Sequence, residues 1–282
     1  MNGFRADLHC HTTCSDGTVK PQDIIQIACD LGLQGLSITD HDTIEAYKEA
    51  LPAAQAKQFP LISGVEFSAV HRNASIHILA YSFPLSSTGI QEFCQRHNQR
   101  REQRNRAILE LLAFQGMPLS QEDFSPDLFS DKSQHSIGRP HIALAMMKKG
   151  YVPSIQKAFQ EYIGEGKSCY VPGNAFSIEE TLEIIHQAQG LAIIAHPHLI
   201  EKVGILRDLL NMNFDGIEGY YARFPSNAHD RWLKIGAHKG WIITGGSDFH
   251  GEIKPNLPLG SSWVNEETFL ILQHHFQRNQ EI

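Results

Sequence analysis

Two patterns of apolar and polar positions follow each other over the first part of the chain. Short apolar segments of strand type are separated by stretches in which apolar residues recur every three or four positions, as on one face of a helix. Pro21 opens the first such helix, where proline is well tolerated. The pattern predicts strands over residues 4–11, 36–39, 61–66 and 76–81 and helices over 21–31 and 44–57. This order predicts a largely parallel sheet with crossover helices.

The same rhythm resumes late in the chain, after an interruption. Residues 91–167 carry few strand signals and contain helical runs over 91–115 and 141–149. Later elements are predicted as helices over 178–189, 205–212 and 227–239 and as strands over 191–195, 216–220 and 241–244. We therefore predict an α/β domain made of residues 1–90 and 168–282, interrupted by a helical insertion subdomain of residues 91–167.

Composition places the 282 residues among ordinary globular proteins, because 41% are apolar and 20% are charged. No apolar run approaches the ~18 residues that cross a bilayer, and the opening residues lack the pattern of a secretory signal. The five cysteines form an odd set without paired spacing. We therefore expect free thiols, no membrane association and a cytoplasmic location. No obligate protein partner is indicated.

Net charge and histidine content indicate how the protein could bind a substrate and a metal ion. The net charge of -7 disfavours broad electrostatic binding of nucleic acid, so an anionic substrate has to be held locally. Histidine is abundant, with 16 residues, and several stand where predicted strands end. Imidazoles grouped in this way are typical of a metal site.

The strongest motif is DLHCH at residues 7–11, which is followed by Ser15, Asp16 and Gly17. Side chains alternate between faces along a strand, so His9 and His11 point to the same side. Two imidazoles at one strand end can chelate an ion. For this motif alone, the alternative is two surface histidines on an edge strand.

Five other predicted strand ends carry the same residue types, in the segments ITDHD, SGVE, SIH, IAHP and GGSDFHG. In barrels of parallel strands these ends meet on one face, where active sites lie. Their ligands are too many for one ion and suit about three, and a carboxylate such as Glu66 can bridge two ions. Nitrogen and oxygen ligands without thiolate suit manganese, iron or zinc, of which we expect manganese. The candidates are His9, His11, Asp16, His41, Glu66, His77, His196, Asp248 and His250.

Taken together, these segments resemble the polymerase and histidinol phosphatase (PHP) superfamily. The matching pieces are ADLHCHTTCSDG, LSITDHDT, SGVEFS, IHILAY, IIAHPH and TGGSDFHG, in the family's order and spread over most of the chain. The insertion and GRPH at residues 138–141 look like the branch of nucleoside 3',5'-bisphosphate phosphatases and 5'-3' exoribonucleases. The resemblance implies a distorted (β/α)7 barrel that hydrolyses phosphate esters of a nucleotide or a short RNA.

The resemblance also implies how three ions share the ligands. It assigns His9, His11, Glu66 and Asp248 to one ion, Glu66, His77 and His196 to a second, and Asp16, His41 and His250 to a third. Clustered cations neutralise a phosphate and lower the pKa of a bound water, so no nucleophilic side chain is expected. Competing motifs fail, because Cys14 stands where an aspartyl-phosphate motif needs Asp and Asp16 where a cysteine phosphatase loop needs Arg. A phosphate-cradling glycine loop is also missing.

Cationic residues of the insertion are candidates for substrate contacts. Arg139 and His141 follow a glycine, and Arg offers a planar fork that suits phosphate, with a structural Arg that caps the next helix as the alternative. Arg101 and Arg104 belong to a run of arginines between residues 96 and 106, whose alternative interpretation is a solvated helix surface. The branch that the chain resembles has arginines at this place, which makes both candidates for a second phosphate or an RNA backbone.

Asp40 and Asp42 flank His41 and are candidates either to orient imidazoles or to cap the helix that begins near residue 44. His198 is a candidate ligand or substrate contact, with a surface histidine as the alternative. Three function classes stay open: a phosphatase or exonuclease on nucleotides, a small-molecule phosphatase such as one for histidinol phosphate, and a noncatalytic metal-stabilised module. The arginines and GRPH favour the first class.

Overall fold

A computed structural model of the chain describes residues 3–124, 137–172 and 176–280. The strands are β1 Ala6–Asp7, β2 Gly35–Ser37, β3 Leu61–Ile62, β4 Gly64–His71, β5 Ala74–Tyr81, β6 Phe176–Ser177, β7 Leu191–Ile194, β8 Gly216–Tyr221 and β9 Ile242–Gly246. The α-helices are α1 Pro21–Asp30, α2 Tyr47–Ala56, α3 Thr88–Phe114, α4 Arg139–Lys148, α5 Ile155–Ala158, α6 Ile178–Gln187, α7 Val203–Leu209, α8 Asp230–Lys239 and α9 Glu266–Gln280. The predicted α/β character is confirmed.

The chain divides into two compact units. One comprises the described residues up to Cys94 together with those from Phe176 onward, and the other begins at Gln95. The second unit contains α4 and α5 and has an apolar core of its own. That core includes the buried side chains of Ile108, Leu112, Ile142, Met146 and Ile163. Within the described ranges, no helix is long and apolar enough to cross a membrane.

The strands of the first unit form two sheets. β1, β2 and β3 pair in parallel, and the larger sheet has the order β6-β4-β5-β7-β8-β9. In the larger sheet β5 runs antiparallel to both β4 and β7, so the predicted parallel order is wrong at this strand. The ladders of the described residues do not close into a barrel. Isolated pairs, Cys10 with Phe249 and His41 with Glu66, join the two sheets beyond their ladders.

A tight hairpin explains the reversal between β4 and β5. His71 pairs with Ala74, which leaves Arg72 and Asn73 in the turn with φ values of 48 and 63. A two-residue turn with positive φ at both positions matches the twist of antiparallel strands, and asparagine tolerates that conformation well. A parallel connection needs a dozen or more residues, so a crossover has no room here.

Alternation along β4 and β5 directs Glu66 and His77 away from one of the apolar cores. Val65 and Phe67 are fully buried in one apolar core, which turns the intervening Glu66 toward the opposite face. Ile76 and Ile78 belong to the same core, so His77 is turned in the same way. The larger sheet therefore packs one face against this core, and its other face carries Glu66 and His77 beside a second apolar core that includes Leu79, Tyr81 and Ile193.

Gly216→Ala is expected to destabilise the fold by about 1–3 kcal/mol, the usual cost of overpacking. A methyl group on Gly216 would overlap the carbonyl oxygen of Ile242 in β9 and would lie 2.5 Å from Cδ1 of Ile193. Gly204→Ala in α7 is the control, because its methyl group would come no closer than 3.9 Å to Arg72. Replacing a glycine inside a helix by alanine should not destabilise the protein. Urea unfolding would measure both variants. Equal stability of Gly216→Ala and the wild type would contradict the packing described for β8 and β9.

Candidate metal centre

Glu66 lies at the middle of the cluster of predicted ligands, and its two oxygens face different imidazoles. Oε1 is 2.8 Å from Nδ1 of His77 and 2.8 Å from Nε2 of His196. Oε2 lies 3.2–3.3 Å from ring nitrogens of His9, His11 and His41. The residue is 1% exposed. A buried carboxylate divided in this way can bridge two cations, one at each oxygen.

Asp248 faces the same imidazoles as Oε2 of Glu66. Its Oδ1 lies 3.3 Å from Nε2 of His11 and 3.5 Å from Nε2 of His9. Together with Glu66, these residues offer ligand atoms that all lie within 4.8 Å of one another. Around an ion bound at about 2.0–2.2 Å, neighbouring ligand atoms are roughly 3.0–3.5 Å apart. The separations therefore fit the ligand shell of one cation.

A further group surrounds Asp16. Its Oδ1 lies 3.2 Å from Nε2 of His250 and 3.7 Å from Nδ1 of His11, and its Oδ2 lies 3.8 Å from Nε2 of His41. The other ring nitrogen of His250 lies 2.8 Å from the carbonyl oxygen of Asp248, which directs Nε2 toward Asp16. His11 and His41 each face two groups of carboxylates through different ring nitrogens.

All nine predicted ligands thus lie in one cluster. Three overlapping sets within the described ranges could each hold a metal ion: His9, His11, Glu66 and Asp248; His11, Asp16, His41 and His250; and His41, Glu66 and His77. His196 stands outside these sets. Its Nε2 is nevertheless 3.3 Å from Nδ1 of His77, beside Oε1 of Glu66.

Two buried ring nitrogens of the cluster lack a hydrogen-bond partner in the described part of the chain. They are Nε2 of His11 and Nδ1 of His41, each 3.2 Å from Oε2 of Glu66. Buried polar groups nearly always have a partner, so an unsatisfied pair beside a carboxylate is expected where a cation binds. The donor set therefore fits divalent metal ions.

The electrostatics of the cluster favour ionised carboxylates. Burial alone would raise the pKa of Glu66, but the imidazoles of His41, His77 and His9 hold it well below its usual range. Burial lowers the pKa of His41, whereas Asp248 and Glu66 outweigh burial at His11 and raise its pKa to about 9. Ionised carboxylates are the form that binds metal.

The two aspartates that flank His41 organise loops. Asp40 accepts hydrogen bonds from the backbone N–H of Thr12 at 2.7 Å and from the hydroxyl of Ser15 at 2.5 Å, next to Asp16. Asp42 accepts from the backbone N–H of Ser68 at 2.7 Å. Helix α2 has Ala46 at its N-cap position, without a side-chain cap bond, so neither aspartate has the predicted capping role.

Three residues beside the ligands were not predicted from the sequence. Oε1 of Glu218 on β8 lies at hydrogen-bond distance, 2.8 Å, from Nδ1 of the predicted ligand His9, and Tyr221 donates its hydroxyl to Oδ2 of Asp248 at 2.7 Å. Lys254 lies 2.7 Å from the same oxygen. Glu218 had a sequence signal, since it is a charged residue inside an otherwise apolar strand. The other two had none.

His198 packs among aromatic rings. Its ring centroid lies 5.3 Å from that of Phe224, nearly parallel to it, and 5.3 Å from that of Trp232. Burial and neighbouring histidines lower the pKa of His198 to about 3. His198 belongs to none of the sets that could hold a metal ion in the described part of the chain.

The predicted substrate residues lie in the second unit. Arg139 opens α4 with its guanidinium 5.7 Å from the ring centroid of Phe159 and 5.4 Å from that of Tyr170. Burial lowers the pKa of Arg139, and the charge on Arg101 lowers it further. His141 accepts a hydrogen bond at Nδ1 from the backbone of Gly138 at 3.0 Å, an N-terminal capping contact of α4. Arg101 and Arg104 lie one turn apart on α3.

Comparison with known proteins matches more than half of the chain to one family. The model of the PHP domain matches residues 7–162. A 5'-3' exoribonuclease of Haemophilus influenzae is 31% identical over 252 residues, which cover 86% of this chain and 89% of that protein. A 3',5'-nucleoside bisphosphate phosphatase of Chromobacterium violaceum is 28% identical and covers 86% of each chain. A solved Bifidobacterium adolescentis structure, assigned to metal-dependent phosphoesterases, has a TM-score of 0.85 at 30% identity and covers 96% of each chain.

Glu66→Gln is expected to lower the number of ions bound per chain, because an amide supplies only one neutral oxygen between the two sets of imidazoles. Metal analysis after dialysis against micromolar manganese would measure the loss. Glu183→Gln on the exposed side of α6 is the matched control and should retain the wild-type content. An unchanged metal content in Glu66→Gln would contradict the bridging position.

Proposed function

The chain belongs to the PHP domain family and is a metal-dependent phosphoesterase, and on this premise we propose that its substrates are phosphate esters of nucleotides. The proposed reactions are phosphate removal from a nucleoside 3',5'-bisphosphate and hydrolysis of short RNA from its 5' end. The similarities to the Haemophilus influenzae exoribonuclease and the Chromobacterium violaceum phosphatase support them. We propose a cytoplasmic location for this activity.

The observation that carries the proposal is the division of Glu66 between two sets of imidazoles. We propose three divalent ions, manganese in first place with iron or zinc as alternatives. Bound ions would neutralise the phosphate and supply an activated water. The proposed holders are His9, His11, Glu66 and Asp248 for one ion, Glu66, His77 and His196 for a second, and Asp16, His41 and His250 for a third. A distorted (β/α)7 barrel stays our interpretation, supported by the isolated pairs between the sheets.

Protein groups other than the ligands would hold the substrate. Lys254 is partly exposed, at 37%, and its ammonium group beside Asp248 would attract a phosphate at the rim of the cluster. The insertion of residues 91–167 is proposed to bind a second anionic group through Arg139, His141, Arg101 and Arg104. Arg101 raises the local positive charge at Arg139, and such a pair of guanidinium groups favours an anion.

Chelation is expected to abolish phosphate release, and added manganese should restore it. His9→Ala and Asp248→Ala should each reduce hydrolysis by orders of magnitude while the fold is retained, because both remove a ligand of the same proposed ion. The exposed residues His274 and Asp230 provide matched controls as His274→Ala and Asp230→Ala. Near wild-type turnover of either ligand variant at saturating manganese would reject the ligand assignment.

A substrate with two phosphates is expected to be preferred over one with a single phosphate. A charge-assisted arginine contact contributes about 1.5–3 kcal/mol, or roughly tenfold to a hundredfold in affinity. Arg139→Ala and Arg104→Ala should therefore impair turnover of adenosine 3',5'-bisphosphate far more than that of AMP or histidinol phosphate. The salt dependence of the bisphosphate reaction should weaken in both variants.

The matched control for these variants is Arg207→Ala on the exposed side of α7, which should affect none of the substrates. Equal losses on all three substrates in the Arg139 and Arg104 variants would indicate a structural role for these arginines. A wild-type preference for histidinol phosphate would instead favour the small-molecule phosphatase.

A further inference from the structure

Glu218 is a fully buried carboxylate that touches two predicted ligands, and it belongs to none of the three sets in the described ranges that could hold a metal ion. Its Oε1 lies 2.8 Å from Nδ1 of His9, and its Oε2 accepts a hydrogen bond of 2.6 Å from the backbone N–H of His196. His9 belongs to the set around Oε2 of Glu66, and His196 lies beside Oε1. One side chain thus contacts ligands on both sides of the bridging carboxylate.

The contact with His9 decides which ring nitrogen faces the ligand cluster. A carboxylate only accepts hydrogen bonds, so Oε1 of Glu218 selects the tautomer in which Nδ1 of His9 carries the proton. The lone pair is then on Nε2, which lies 3.3 Å from Oε2 of Glu66 and 3.5 Å from Oδ1 of Asp248. Carboxylate, imidazole and metal arranged in this order are a common way to orient a ligand.

The contact with His196 restrains an unusual backbone. His196 has φ 25 and ψ 60, in a region that costs energy for a residue other than glycine. The short hydrogen bond to Glu218 stabilises this turn at the end of β7. With the backbone so placed, Nε2 of His196 reaches Oε1 of Glu66 at 2.8 Å.

A bulge in β8 adds a second contact from the same strand. The register with β9 shifts between Glu218 and Tyr220, so Tyr221 also reaches the cluster, although regular alternation would place residues 218 and 221 on opposite faces. Its hydroxyl donates to Oδ2 of Asp248 at 2.7 Å. Strand β8 therefore contacts the predicted ligands His9, His196 and Asp248, and none of the predicted ligands lies on it.

We propose that Glu218 is a positioning residue that couples two ion sites, by fixing the His9 tautomer at one and the His196 turn at the other. The proposal rests on the proposed function only in requiring bound ions. Glu218→Gln should weaken the binding of both ions. The glutamine oxygen can accept a hydrogen bond from one of the two N–H groups, but the amide NH2 is a donor and cannot accept from the other.

The test is a titration of the whole metal-free chain with manganese. Equilibrium dialysis measures the bound ions, and electron paramagnetic resonance detects pairs of them. Glu218→Gln should bind two ions about tenfold to a hundredfold more weakly, the usual effect of losing a partner of a ligand. The signal of exchange-coupled manganese should then appear only at higher manganese concentration. Saturating manganese should restore most of kcat with KM unchanged, since no ligand has been removed.

Asp215→Asn is the matched control. Asp215 also contacts an imidazole and a backbone N–H, those of His186 and Ala192, both at 2.8 Å, but neither is a predicted ligand. Its amide variant should bind manganese like the wild type. Glu218→Asp keeps the charge on a shorter side chain and should bind the ions more weakly than the wild type as well.

Unchanged manganese affinity in folded Glu218→Gln would overturn the proposal, and so would a variant that binds neither ion at any concentration, since Glu218 would then be a ligand itself. If both Glu218 variants fail to fold, nitrogen-15 resonances of zinc-loaded wild-type protein decide. Nδ1 of His9 should be protonated, and a deprotonated Nδ1 would reject the proposal. The manganese titration and both resonance measurements use no substrate, so a failure to hydrolyse nucleotides would reject the proposed function alone.

Discussion

The burial of the Glu66 carboxylate is the constraint on which the rest of the centre depends. A charge with 1% exposure is costly unless positive or hydrogen-bonding groups surround it, and five imidazoles do so here. Those imidazoles come from residues that follow or lie in different strands. The position of one side chain is therefore set by the whole sheet arrangement. Divalent ions bound there would supply positive charge that offsets the cost of burying the carboxylates.

The packing of the sheet and the chemistry of the site follow from the same alternation. Val65 and Phe67 anchor β4 in the apolar core, and this anchoring fixes the direction of Glu66. Ile217 does the same for Glu218 on β8. A shift of either strand by one residue would place a charge in the core and an apolar side chain in the centre, so the register of the sheet is strongly specified.

Much of the candidate metal centre could be predicted from the sequence, because histidines and carboxylates that directly follow short apolar segments form a local sequence pattern. The nine predicted ligands meet, and the α/β character is confirmed. The direction of β5 was missed, because apolar periodicity does not encode strand direction and the turn at Arg72 and Asn73 was not recognised. Tyr221 and Lys254 could not be found, since a bulge and a loop bring them to Asp248 from positions without periodicity.

The most direct test of the bridging role of Glu66 is a crystal structure of manganese-loaded protein with anomalous scattering measured at the manganese edge. We expect one anomalous peak between Oε1 of Glu66, His77 and His196, and another between Oε2 of Glu66, His9, His11 and Asp248. The two peaks should be about 3.5–4 Å apart, as in other carboxylate-bridged pairs. A single peak, or peaks that leave Glu66 with only one coordinating oxygen, would contradict this bridging role.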